Sequence, residues 1–294
     1  MAGLVTTVDV AGPWSLATSK RFWEGFAPAP LTAIESPDLH TTFLVEGSWQ
    51  PVSVTVSQQG ERARISADGA GDLDAAARQA CRFLSLDVDA WGWPDVGRRD
   101  SVIGAAQRQL PGLRPCGFHS PYEAAAWAVL SQRIRITQAA VLRRKLIERH
   151  GDRGAFPAPA TLYRLEFDLP GRKADYLRAV AAAALDGLLD GAVLRSVPAE
   201  AAIRNVRQIN GIGPFAAELI VIRGANAPDV LPSHERRLSA EIAERYGPDR
   251  SLRTVSERWR PYRSWAAVHL RADRERRAAT SRTGLNRQDR SEPC

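Results

Sequence analysis

Between residues 51 and 67 apolar and polar positions alternate with a period of two. Val52, Val54 and Val56 alternate with Ser and Thr, and Ala63 and Ile65 alternate with Arg62, Arg64 and Ser66. Gln58-Gln59-Gly60-Glu61 separates the two runs, so the pattern predicts an antiparallel hairpin. After Asp72, a suitable helix N-cap, the period lengthens. Ala77, Cys81 and Leu84 fall at i, i+4 and i+7, which predicts a helix laid across the sheet with Cys81 in the core.

From 92 to 116 the chain reads as irregular, with Pro94, Gly97, Gly104, Pro111, Gly112 and Pro115, and a boundary or connecting segment is expected there. Beyond it the pattern is helical almost throughout. Ser120-Pro121-Tyr122-Glu123 reads as a capping box opening a helix that runs through Trp127 and Leu130 toward Gln132. Ala139, Leu142 and Leu146 form a second stripe, and Ala174, Leu177, Ala181, Ala184 and Leu185 a third. Residues 272–294 are polar, Arg-rich and aperiodic, the pattern of a disordered tail. The expected class is mainly α, with an N-terminal α+β domain (antiparallel sheet plus helix) over 1–105, an all-helical domain over 106–271, and the tail.

Composition refines this picture. The 294 residues are 44% hydrophobic and 25% charged, as in an ordinary globular protein. Three cysteines, Cys81, Cys116 and Cys294, are too few and scattered for a disulfide framework, a Cys-rich zinc site or a four-Cys cluster. The start MAGLVTTVDV lacks the features of a secretory signal, and the apolar stretch 179–194 is broken by Asp186 and Asp190. A cytoplasmic, nucleoid-associated location without membrane contact is expected. The net charge of +7 is unevenly spread: −5 over 1–100, +9 over 101–270 and +3 beyond. A basic middle joined to an acidic start suggests a polyanion-facing region, although Arg-rich helices also simply present solvated faces.

The most informative stretch is Arg207-Gln208-Ile209-Asn210-Gly211-Ile212-Gly213-Pro214-Phe215. A helix carrying Ile203 and Val206 arrives, turns through Gly-Ile-Gly, and a second helix starts at Pro214. Such a turn leaves N–H groups pointing outward where the helix dipole favours an anion, and it also serves as a tight connection. With this turn go Asp229-Val230-Leu231-Pro232-Ser233-His234-Glu235, Trp259-Arg260-Pro261-Tyr262-Arg263-Ser264-Trp265, Phe118-His119-Ser120-Pro121 and Gly171-Arg172-Lys173-Ala174. Together, in colinear order over about residues 110–271, these segments resemble the helix-hairpin-helix DNA glycosylase superfamily and its DNA-3-methyladenine glycosylase II branch.

The resemblance implies base excision: a monofunctional DNA repair glycosylase flips a damaged, alkylated base from double-stranded DNA and hydrolyses its N-glycosidic bond. The family's catalytic carboxylate falls on Glu235, a glutamate where an aspartate is usual, and the neighbouring acid on His234. The plain alternative for Glu235 is a charge favouring a helix start capped by Ser233. His234 is open to three roles: supporting the carboxylate, touching a phosphate, or being a surface histidine. Gly211, Ile212 and Gly213 would anchor a phosphate, and Arg133 would fill the gap left by the flipped base. Arg135, Arg143, Arg144, Arg172 and Lys173 would contact the backbone.

The base pocket would involve Trp127, Gln132, Phe215, Leu219 and Arg271, with Trp127, Trp259 and Trp265 also suited to the core. Rings usual in the branch are absent at Leu219 and at Arg271-Ala272. Phe215 stands where lyase branches carry their Schiff-base lysine, which implies simple hydrolysis. No cofactor is required, and a Na or K ion at the carbonyls of Arg207, Ile209 and Ile212 is a further implication. The protein is expected to be a monomer. The competing class is a catalytically impaired relative that binds DNA structure or lesions without cutting.

Overall fold

The computed structural model describes residues 3–26, 35–167, 169 and 171–288. Strand β1 (Leu4–Asp9) and helix α1 (Leu16–Glu24) open the chain, followed by β2 (Leu39–Leu44), β3 (Pro51–Gln59) and β4 (Arg62–Gly69). The sheet is antiparallel in the order β1-β4-β3-β2, with Val54 opposite Ala67 and Val56 opposite Ile65. The alternation read from the sequence is therefore the pleat itself. Val52, Val54, Val56, Ala63 and Ile65 are buried beneath α2 (Leu73–Phe83). Asp72 caps α2 by accepting the Ala75 N–H at 2.9 Å, and Cys81 lies in the same core.

The segment expected to be irregular is not a linker. It forms α3 (Trp93–Arg99) and α4 (Ser101–Gln109). Asp100 ends one and caps the other, accepting from the N–H groups of Val102 and Ile103. Gly97 and Gly104, read as breakers, are contact points: a Cβ on Gly104 would lie 2.5 Å from the Gly97 carbonyl oxygen. The two helices also leave the sheet. Val88, Trp93, Val96 and Ile103 pack with Leu238, Ile242, Trp259, Trp265 and Leu270 from the far end of the chain.

The central helical layer begins with α5 (Pro121–Leu130), buried along its whole length as an apolar helix must be. Ser120 caps it as expected, accepting from Glu123 N–H. The Glu123 side chain does not complete a box but bonds His119 and Arg143 instead. Around α5 lie α6 (Ile136–His150), α7 (Pro159–Arg164), α8 (Lys173–Leu185), α9 (Gly191–Ser196) and α10 (Ala199–Val206). The α8 stripe holds through Ala184, while Leu185 is exposed. Helix α11 (Pro214–Leu219) continues as a π-helical turn over Ile220–Gly224.

Finally come α12 (Arg236–Tyr246), α13 (Leu252–Ser256) and α14 (Arg263–Gln288). The expected disordered tail is thus corrected over 272–288, which continues α14; 289–294, with Cys294, lie outside the described residues. What orders the start of this extension is charge. Glu241 of α12 is fully buried and is met by Arg245, Arg274 and Arg277, while Asp273 pairs with Arg245, Arg276 and Arg277.

Arg114 is among the residues that join the sheet region to the helices. The fully buried Arg114 donates to the carbonyls of Ala11, Pro13, Ser85 and Val88, and its guanidinium lies 5.6 Å from the Trp265 ring centre. Among the described residues no helix is long and apolar enough to cross a membrane.

Candidate nucleic-acid interface and carboxylate

The turn between α10 and α11 has the shape its glycines suggest, for two different reasons. Gly211 has φ +90°, and a Cβ there would sit 2.3 Å from the Tyr176 ring, so internal packing requires glycine. Gly213 is exposed and would meet nothing within 4 Å. Its bareness is unused by the fold and leaves room for an outside backbone to approach. Pro214 begins α11, so the N–H groups of Phe215 and Ala216 in the first turn lack intrahelical acceptors. Ile212 contributes only backbone: its side chain is buried, and its N–H donates to Ile209 O at 3.0 Å.

Glu218, one turn beyond Phe215, escaped the sequence reading and organises the site. Its side chain is 6% exposed, and its carboxylate accepts from Ser233 N–H at 3.1 Å and His234 N–H at 2.9 Å. His234 Nδ1 is 2.8 Å from the same group, while the side chain stays 53% exposed. A charged residue within the apolar run Ala216-Ala217-Glu218-Leu219-Ile220 was the available signal, since a buried carboxylate needs partners.

The other end of the loop is held by α14. Arg263 Nε pairs with Asp229 Oδ1 at 2.8 Å, and Ser264 bonds both the N–H and the carbonyl of Val230. The helix after the glycine turn, the 229–235 segment and the 259–265 segment are therefore joined in series. Directly after these anchors, Glu235 is the N-cap of α12, in place of the expected Ser233, and its Oε1 accepts Arg237 N–H at 2.9 Å.

The remaining candidates separate by burial. Arg133, just past α5, is exposed with φ +56°, a conformation that costs a non-glycine residue about 1 kcal/mol or more and tends to mark functional positions. Arg135, Arg144 and Arg172 are exposed, Arg172 with its guanidinium over Tyr176. Lys173 is not available to a phosphate: it is buried, and Nζ donates to Leu130 O at 2.8 Å, closing the end of α5. Arg143 is likewise buried against Glu123 at 2.8 Å.

Trp127 is a core residue at 4% exposure, and Trp259 and Trp265 are fully buried. Gln132 is committed to the hairpin, its Nε2 donating to Gly211 O at 2.9 Å. Phe215 is 47% exposed, Leu219 partly buried, and Arg271 is paired with Glu275 at 3.0 Å. Arg223, which the sequence reading passed over, lies against Phe26 and Phe22 at 4.4 and 5.3 Å, with Nη2 donating to Cys116 O.

No family model matches the chain. Among curated proteins it is 24% identical to a DNA-3-methyladenine glycosylase of Bacillus subtilis over 64% of this chain and 68% of that one. It is 28% identical to DNA-3-methyladenine glycosylase 2 of Escherichia coli, over 57% and 62%. The chain spans 47% to 68% of the length of the curated relatives it matches. Among solved structures, a 3-methyladenine DNA-glycosylase from Archaeoglobus fulgidus superposes with a TM-score of 0.71 at 19% identity, over 90% of this chain and 96% of that one. A Clostridium acetobutylicum 8-oxoguanine glycosylase/lyase, solved with double-stranded DNA, gives 0.65 at 15% identity, over 94% and 98%. The fold is the one these solved DNA glycosylases share. In sequence the chain is similar to DNA-3-methyladenine glycosylases.

Proposed function

We propose that the protein is a monofunctional DNA glycosylase that removes alkylated bases, with Glu235 as the catalytic carboxylate. The observation that carries the reading is the Glu218 clamp, which makes the hairpin and the Glu235 loop one unit. A phosphate seated on the hairpin would thereby be registered against the carboxylate, and registration of this kind is where much of an enzyme's rate advantage lies.

In the reaction the bond between C1′ and the base nitrogen breaks, and its electron pair leaves with the base. Positive charge grows on the sugar, and the Glu235 carboxylate stabilises it; water then adds at C1′ and loses its proton. The extra methylene of glutamate is accommodated because Oε1 is tethered to Arg237 N–H, which limits the side chain's travel. Arg133, already in its left-handed conformation and exposed, would occupy the vacated stack. A Schiff-base route is disfavoured by the lysines. Lys173 is buried against Leu130, Lys20 is paired with Glu24, and Lys145 lies on α6.

The test is base release. Duplexes carrying methylated purines, hypoxanthine, uracil or ethenoadenine are incubated with the protein, and alkali then reveals abasic sites. Release from methylated purines that disappears in Glu235→Gln while DNA binding persists supports the assignment. Tight binding of bent or gapped DNA with no release from any lesion would assign the protein to DNA-structure recognition instead.

A further inference from the structure

A cavity of about 460 Å³ lies where β2 and β3 meet the start of α5 and the middle of α6. It is separate from the interface above. Glu123, in its wall, sits in the first turn of α5 and Gln132 lies beyond the last; nine residues of helical rise amount to roughly 13 Å. Its volume falls within the range of small-molecule sites.

Its walls are chemically one-sided. Arg143 is 7% exposed and lines the cavity; Nη2 is bound to Glu123, but its buried Nε has no partner among the described residues. Buried donors are almost always satisfied, so an open one in a cavity wall points to a ligand atom. Arg153 also lines the cavity, held at φ +52°, with only a loose 3.7 Å approach to Asp68. The one carboxylate among the described lining residues is Glu123. Burial would raise its pKa, but His119 and then Arg143 overcome this and hold it at about 2.

Its negative charge is therefore already matched, and the free capacity of the walls is for an anion. Ser53 and Thr55 add hydroxyls from the sheet. Away from the cations the surface is apolar, formed by Val54, Phe118, Ile147 and Phe156. A bare phosphate would leave this part empty.

We propose that this cavity binds a phosphate monoester with a flat organic body. The phosphate lies between Arg143 Nε and the Arg153 guanidinium, whose charge-assisted bonds suit its terminal oxygens. The body rests on the Phe118, Phe156 and Ile147 wall.

The probe is 2′-deoxyadenosine 5′-monophosphate, titrated calorimetrically into the whole chain, with deoxyadenosine and inorganic phosphate as parallel arms. Saturable binding of the monophosphate is expected, with deoxyadenosine silent and inorganic phosphate a weaker competitor. Arg153→Ala, an exposed change, should weaken binding about tenfold or more, and Arg143→Lys, which keeps the charge but deletes Nε, should do likewise. Phe215→Ala should leave it unchanged, separating this cavity from the hairpin site whatever the fate of the glycosylase reading. Absence of saturable binding, equal binding of deoxyadenosine, or indifference to both arginine variants overturns the proposal.

Discussion

His119 and Glu123, at the head of α5, approach to 3.2 Å with side chains 9% and 5% exposed. His234 and Glu218, beside the hairpin, approach to 2.8 Å, but there the histidine is 53% exposed. In the first pair both carboxylate oxygens meet side-chain nitrogens, Nδ1 of His119 on one and Nη2 of Arg143 on the other. With Nδ1 as the donor, Nε2 is left to accept the Thr41 hydroxyl at 2.8 Å, which ties α5 to the edge strand β2. In the second pair the carboxylate is engaged mainly with backbone, the N–H groups of Ser233 and His234. The same two residue types thus do different work: a closed ionic cluster anchors an interior, whereas a carboxylate turned onto main chain fixes the path of a loop.

If that contrast is right, the buried pair governs stability and the loop pair governs turnover. The largest expected effect is Glu123→Ala, which strands Arg143 as a buried uncompensated charge and should cost on the order of 3–5 kcal/mol in urea unfolding. Replacing Glu123 and Arg143 together by apolar residues should recover much of that loss. A loss below about 1 kcal/mol for the single change would break the comparison.

Acid should expose the same cluster. Glu123 titrates at about 2 in the folded protein against 4.5 as its ordinary value, so its stabilisation is complete above 4.5. It is lost as the pH falls from 4.5 toward 2, by roughly 3 kcal/mol in all. His269, pushed by burial to about 4 from 6.5, adds a loss in the window just above. Unfolding curves for the parent and Glu123→Gln should therefore converge below pH 3 if the carboxylate is responsible.

Glu218→Gln comes next. A neutral amide keeps the volume and one acceptor but loses the charge that draws both N–H groups. The glycosylase rate should fall about 10–100-fold in kcat, with KM and DNA affinity nearly unchanged. A rise in KM alone would mean that Glu218 serves DNA binding and not the placement of Glu235.

The sequence allowed the sheet, the caps at Asp72 and Ser120, and the Gly-Ile-Gly turn to be located, because each depends on neighbours within a few residues. What it hid depends on distant partners. Lys173 looked like a contact to the DNA backbone until the carbonyl of Leu130 claimed it, and Arg143 looked like another until it proved to be buried beside Glu123. Gly97 and Gly104 looked like breakers because the helix contact between them is invisible in composition. The aperiodic stretch after 271 looked disordered since its order comes from Glu241 on another helix, not from an apolar stripe. Within the candidate site, Glu235 was singled out by its place in a motif, whereas Glu218 required knowing that α11 and the Ser233–His234 loop meet.

The smallest effect is also the sharpest for the comparison. His234→Ala removes the ring contact to Glu218 but keeps the two backbone bonds, since these belong to positions 233 and 234 whatever their side chains. A single hydrogen bond to a carboxylate at a half-exposed position contributes about 1 kcal/mol, so kcat should drop only about three- to tenfold. Stability should shift by less than about 1 kcal/mol, as for most exposed changes. His119→Ala, by contrast, empties a buried position stacked on Phe43 and bonded to Thr41 and Glu123, and its cost should appear in unfolding. If His234→Ala abolished turnover while Glu218→Gln did not, the histidine would be acting on the substrate directly. The loop pair would then have to be read as part of the chemistry and not as its support.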